Sequence, residues 1–382
     1  MRQLQNFISR GLCGALLLLS QVPAAAAPPL QPHPSGTPWP TRSWPQAPLP
    51  ADVDANALGT VLTNLFDPQP PAGHPDTRAL LIVRGGRIVL ETYAPGFGPD
   101  SRFMSWSMAK SVTNAITGLL VADGVLALDQ PVPVADWQGE DDPRRAITLR
   151  QMLNMTSGID NANSSSGAIS FVSDMLFGES ATHTARAAIE RPLIHAPGSF
   201  WAYSTGTSNI LGALVTHHAG PERRQVADFV RRRLFHPLGI ESMELEFDMA
   251  GNFVGGVFVW ANARDWARLG YLYLRDGMWD GQRLLPEGWV DFTRTPAPAE
   301  NNATYGAHFW VAGPRTDNQS VALSVDTGTF WMNGAQGQIV AMVPKRDLII
   351  VRLGEQHTET WQDTTAMTER LIQAFSPSGP SR

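Results

Sequence analysis

Apolar residues at helical spacing mark several segments of this chain. Ala115, Ile116, Leu119 and Leu120 share one face of a helix predicted over residues 105–123, with Gly124 placed to stop it. The same spacing predicts helices at 148–154, 171–177, 208–218, 225–235, 261–276 and 361–375. Strand-like runs flank this helical middle. Two surround Arg84-Gly85-Gly86-Arg87, a hairpin signal, and four more fall at 307–311, 321–331, 338–343 and 348–353. Strands at both ends with helices between them predict an α+β fold: an antiparallel β-sheet flanked by helices, with a mostly helical inserted lobe. On this reading residues 56–135 and 251–376 build the sheet lobe, 136–250 the helical lobe, and 377–382 a tail. Two lobes leave a cleft, the usual place for a small-molecule site.

Ahead of the body, residues 1–27 read as a secretory signal peptide. Arg2 and Arg10 give the positive start, Leu12 to Leu19 an apolar run too short to span a bilayer, and Ala24 to Ala27 a small-residue cleavage region. The expectation is an exported protein, periplasmic or secreted, with no integral membrane segment in its mature chain. Cys13, the sole cysteine, lies inside the leader, so the mature chain would fold without disulfides. Residues 28–50 hold nine prolines together with Trp39 and Trp44. Prolines alone suit a tether; the tryptophans favour a strap laid along the folded body, over about 28–55.

The net charge of −6, with no basic run, argues against nucleic acid as a partner. His217-His218 has no partner at metal-ligand spacing, so no metal is expected. Lys110 and Lys345 are the only lysines beside 27 arginines. A chain that uses Arg nearly everywhere has kept, at 110, a cation able to lose its proton.

That lysine lies three residues after Ser107, and on a helix the two share a face. Burial and the positive end of the helix would both favour the neutral amine, which can take the Ser107 proton. An isolated Ser-x-x-Lys is as easily a solvated helix face; its neighbours decide. Ser107-Met108-Ala109-Lys110-Ser111-Val112-Thr113 is followed by Asp123-Gly124, Leu128-Asp129 and the run from Ile147 to Gly158. Then come Pro197 to Gly206, Pro237-Leu238-Gly239 and the run from Ala263 to Gly270. In that order these motifs resemble the class C β-lactamase-like serine hydrolases, in the branch holding 6-aminohexanoate-dimer hydrolase and related esterases.

The resemblance implies a hydrolase without cofactor, acting on a small ester or amide through a Ser107 acyl-enzyme. Lys110 would be the base and Tyr203 the proton relay. A peptidoglycan-directed D-amino-acid peptidase, a weak β-lactamase, or a non-catalytic binding protein of the same fold are the alternatives. Two departures stand out. Thr205 replaces the amide of the family's Tyr-x-Asn element, and the third motif, aligned at Ala335-Gln336-Gly337-Gln338, has no cation. In that register the Ser107 and Gln338 backbone N–H groups would form the oxyanion hole, with Gly337 allowing close approach. Asp160, Thr205, Gly337 and Trp331 are the further candidates for substrate contact.

Overall fold

The computed structural model describes residues 27–67, 76–163, 170–220, 222–299, 304–312, 323–324, 326–355 and 362–375. The leader reading and the 377–382 tail therefore lie outside the described residues, Ala27 excepted.

Five strands build the main sheet: β1 (Asp76–Arg84), β2 (Arg87–Tyr93), β3 (Phe330–Gly334), β4 (Gln338–Val343) and β5 (Leu348–Glu355). Their order is β2-β1-β5-β4-β3, every neighbour antiparallel, with Glu91, Leu81, Val351, Val340 and Met332 in one row. Gly85 and Gly86 turn β1 into β2 at φ 58° and 73°, a left-handed pair that glycine adopts without a Cβ penalty.

Both faces of the sheet are covered, so its central strands read as continuous apolar runs. Leu80, Ile82, Trp331, Ile339, Ala341 and Ile350 pack under helices α1 (Ala55–Leu65) and α5 (Gln362–Ala374). Leu81, Val83, Met332, Val340 and Val351 face the other way, towards α2 (Ala109–Ala122) and α4 (Ala263–Leu274). Gly270 lets α4 lie close on the sheet, since a Cβ there would sit 3.0 Å from Val340. The lobe between holds α3 (Thr205–Ala219), capped by the Ser204 hydroxyl, and shorter helices including Leu149–Leu153 and Phe171–Phe177.

Residues 28–47 run along this body. The Trp44 indole N–H donates to the Arg264 carbonyl at 3.0 Å, Arg268 donates to the Pro40 carbonyl at 2.8 Å, and His33 stacks on Trp39. At the far end, the turn Pro344–Arg346 between β4 and β5 holds Lys345 exposed, paired with Asp326 at 2.9 Å.

Four expectations change. The predicted helix start is a 3₁₀ turn over Trp106–Met108, with α2 beginning at Ala109. Residues 307–311 form no strand: His308 has φ 59°, which breaks the alternation, and only isolated bridges join Trp310 to Tyr305 and Trp331. The strand expected over 321–331 begins only at Phe330, with 321, 322 and 325 outside the described residues. Helix α1 was not foreseen, although Asp54 caps it and Leu58, Val61 and Leu65 carry its buried face.

Candidate active site

The 3₁₀ turn holds Ser107 where α2 meets the edge strand β3. Trp106 sits at φ 46°, a left-handed conformation unusual for a bulky residue and found where the surroundings over-determine it. Ser107 remains partly exposed, whereas Lys110, one turn on, is 1% exposed.

The Lys110 Nζ donates to the Gly256 carbonyl at 2.8 Å and lies 3.1 Å from the Thr205 Oγ1 and 3.2 Å from the Ser107 Oγ. All three partners are neutral. Burial without a counter-charge pulls the amine down to about 7 from an ordinary lysine value of 10.5. Half its population is then uncharged near neutral pH, and a neutral amine within hydrogen-bond reach of a hydroxyl can act as its base.

Tyr203 closes the group. Its ring centroid lies 4.9 Å from the Lys110 Nζ, and its hydroxyl meets that of Ser107. Burial beside Tyr305 and Trp310, at ring distances of 5.6 and 5.7 Å, raises the phenol well above its ordinary value, and the contact with Ser107 only partly offsets this. The phenol is therefore a proton donor here. Ser107, Lys110, Tyr203 and Thr205 are thus brought together from the 3₁₀ turn, the first turn of α2 and the residues that open α3.

His308, which sequence reasoning passed over, is buried below Lys110. Its Nδ1 lies 3.0 Å from the Lys110 carbonyl, which can only accept, so Nδ1 carries the proton and Nε2 accepts from Ser208 at 3.2 Å. Burial lowers its pKa to about 3, and its free lone pair is spent on Ser208. This histidine is a neutral prop rather than a base for Ser107. Asn163 was passed over as well. Its backbone N–H donates to the Tyr203 carbonyl at 2.9 Å, and its side chain makes two bonds to Thr205. Neither residue has a local sequence signal, because both reach the site from remote loops.

The other candidates lie elsewhere. Asp160 pairs with Arg191, whose Nε also donates to the Asp160 carbonyl at 2.7 Å, an arrangement that fixes a turn. Trp331 is fully buried on the far face of the sheet and cannot wall the cleft, whereas Trp310 lies beside Tyr203. The third motif is also displaced. A Cβ on Gly337 would meet Thr364 at 2.6 Å and the Arg352 guanidinium at 2.8 Å, away from the nucleophile turn. The close approach is at Gly334, where a Cβ would sit 2.1 Å from the Ser105 carbonyl.

Gln338 follows the same correction. It faces Gly334 in the β3–β4 hairpin, and its carboxamide bonds the backbone of Gly354. Trp331 exchanges both its backbone bonds with Trp310, so alternate residues at 333 and 335 share the free edge, whereas 334 pairs inward with Gln338. The inward pairing takes the Gln338 N–H away from Ser107. The Gln336 side chain accepts from the Trp106 indole at 3.1 Å.

An aromatic rim stands next to the nucleophile turn. Trp106, Phe177 and Phe258 lie 6.2–6.5 Å apart by ring centroids, and Phe177 is 68% exposed. Among the described residues no group of three or more His, Cys, Asp or Glu could hold a metal, and no helix is long and apolar enough to cross a membrane.

Comparison with known proteins agrees with this architecture. Protein Rv1367c of Mycobacterium tuberculosis is 29% identical over 317 residues, covering 66% of this chain and 77% of its own length. The 6-aminohexanoate-dimer hydrolase of Paenarthrobacter ureafaciens is 24% identical over 337 residues, covering 80% and 78%. A penicillin-binding protein homologue from Caulobacter crescentus shares the fold at a TM-score of 0.61 and 17% identity, over 86% of this chain and 99% of that one. The model of the Beta-lactamase family matches residues 62–374, and a match over most of its length makes this chain a member of that family.

Proposed function

We propose that this chain is an exported serine hydrolase that cleaves a small ester or amide through an acyl-enzyme on Ser107. The observation that carries this is the Lys110 amine, sealed from water, without a carboxylate partner, and 3.2 Å from the Ser107 hydroxyl. The Lys110 lone pair takes the Ser107 proton as Oγ bonds to the substrate carbonyl carbon, whose π pair moves onto oxygen. On this reading the backbone N–H groups of Ser107 and Ala335 donate to that oxyanion. Collapse breaks the bond to the leaving group, which takes a proton from Tyr203, and Lys110 returns one to the phenol. Water then repeats the sequence on the acyl-enzyme, releasing the acid and restoring Ser107.

The substrate is expected to be uncharged at its acyl end. Arg352, beside the third motif, is buried and spends its donors on the Gln336, Gly337 and Glu355 carbonyls and the Thr77 hydroxyl, at 2.9–3.2 Å. The rim of Trp106, Phe177 and Phe258 favours apolar groups. Export rests on the leader-like residues 1–27.

Ser107→Ala should abolish turnover of a short-chain nitrophenyl ester and block labelling by a fluorophosphonate probe. Turnover retained in that variant would remove Ser107 from the role. No labelling of the folded wild-type chain would point to a binding protein instead, and strong labelling by a fluorescent penicillin to a peptidoglycan-directed enzyme.

A further inference from the structure

A neutral Lys110 amine brings two hydrogens and one lone pair to three neighbours. The Gly256 carbonyl can only accept and takes one hydrogen, so the other hydrogen and the lone pair are divided between Thr205 and Ser107. The behaviour of the Thr205 hydroxyl therefore bears directly on whether Lys110 is charged.

Asn163 sets that behaviour. The Thr205 backbone N–H donates to the Asn163 Oδ1 at 2.8 Å, which fixes the sense of the amide. The Nδ2 must then face the Thr205 Oγ1, to which it donates at 3.0 Å. With the lone pair kept for the Ser107 proton, the second amine hydrogen goes to the Thr205 Oγ1. A hydroxyl oxygen that already accepts from an amide is a weaker acceptor for an ammonium, so the charged amine loses more than the neutral one. The same residue holds Tyr203, through its backbone bond to that carbonyl.

We propose that Asn163 is a positioning residue of this site, which keeps Lys110 uncharged by donating to the Thr205 hydroxyl and clamps Tyr203 beside it. This rests on Lys110 being the base for Ser107. The other titratable groups facing Lys110 among the described residues are Tyr203 and His308, both neutral at pH 7, so neither competes for control of the amine.

The test is the pH dependence of kcat/KM for a nitrophenyl ester in wild type, Asn163→Leu, Thr205→Val and the double variant, with thermal unfolding of each. Leucine matches asparagine in size and keeps the amine dry while removing the donor. The acid limb of the wild type should fall near 7, and Asn163→Leu should move it up by about half to one unit. In the Thr205→Val background the same change should move it no further, because the path through the hydroxyl is already cut. A limb that stays put in Asn163→Leu while the melting temperature falls would make Asn163 purely structural and overturn the proposal. An equal shift with and without the Thr205 hydroxyl would overturn the route through Thr205. A wild type without an acid limb near 7 removes Lys110 as the base, and this inference with it.

Discussion

A lysine buried without a counter-charge affects stability as well as chemistry. Folded, Lys110 titrates near 7; unfolded, it returns to an ordinary value of 10.5. Between those values the unfolded chain holds one proton more than the folded chain, so stability rises with pH, by about 1.4 kcal/mol per unit. Below about 7 both states are protonated and the penalty is complete. Lys110→Met should lose this slope, so the stability of wild type relative to the variant, measured by urea unfolding, should rise from pH 7 to 9. Activity should fall by roughly 10²–10⁴-fold, the share of a positioned base. Parallel stability curves would show that the amine is not perturbed as described. At this scale much of the site was legible: Ser107 and Lys110 are one helical turn apart, and Tyr203 stands in a recognisable run. Asn163 and His308 were not, because what links them to Lys110 is a loop crossing rather than a spacing.

The elements were legible where periodicity ran uninterrupted, as in α3 and α4, and where glycines marked a turn, as at Gly85-Gly86. They failed where the backbone departs from its local pattern. Residues 307–311 alternate like a strand but turn at His308, and the third motif was displaced because two glycines, Gly334 and Gly337, compete for one role. The two can be told apart. Gly334→Ala should force β3 from the nucleophile turn and reduce kcat by about 10²-fold, as a misplacement of about 1 Å does. Gly337→Ala, at φ 77° and against Thr364, should destabilise the fold and leave kcat closer to wild type. Nitrophenyl ester kinetics with thermal unfolding of both variants would check this, and equal losses in kcat would contradict the displaced register.

Over the whole molecule, the strap ties distant parts of one core. Trp44 contributes a buried ring to the main cluster and a hydrogen bond to the start of α4, between the sheet and the body it crosses. Trp44→Ala should cost about 3 kcal/mol, in the range for a buried aromatic, and lower the melting temperature by several degrees. Activity assayed well below that temperature should persist, since the ring touches none of the site residues. The two lysines lie in opposite surroundings: Lys110 is sealed within the protein and Lys345 stands in solvent at the β4–β5 turn. An acylating dye or an activated resin should therefore couple to the native protein at one lysine, besides the terminal amine. The protein would then be tethered by the end of β4 opposite the nucleophile turn.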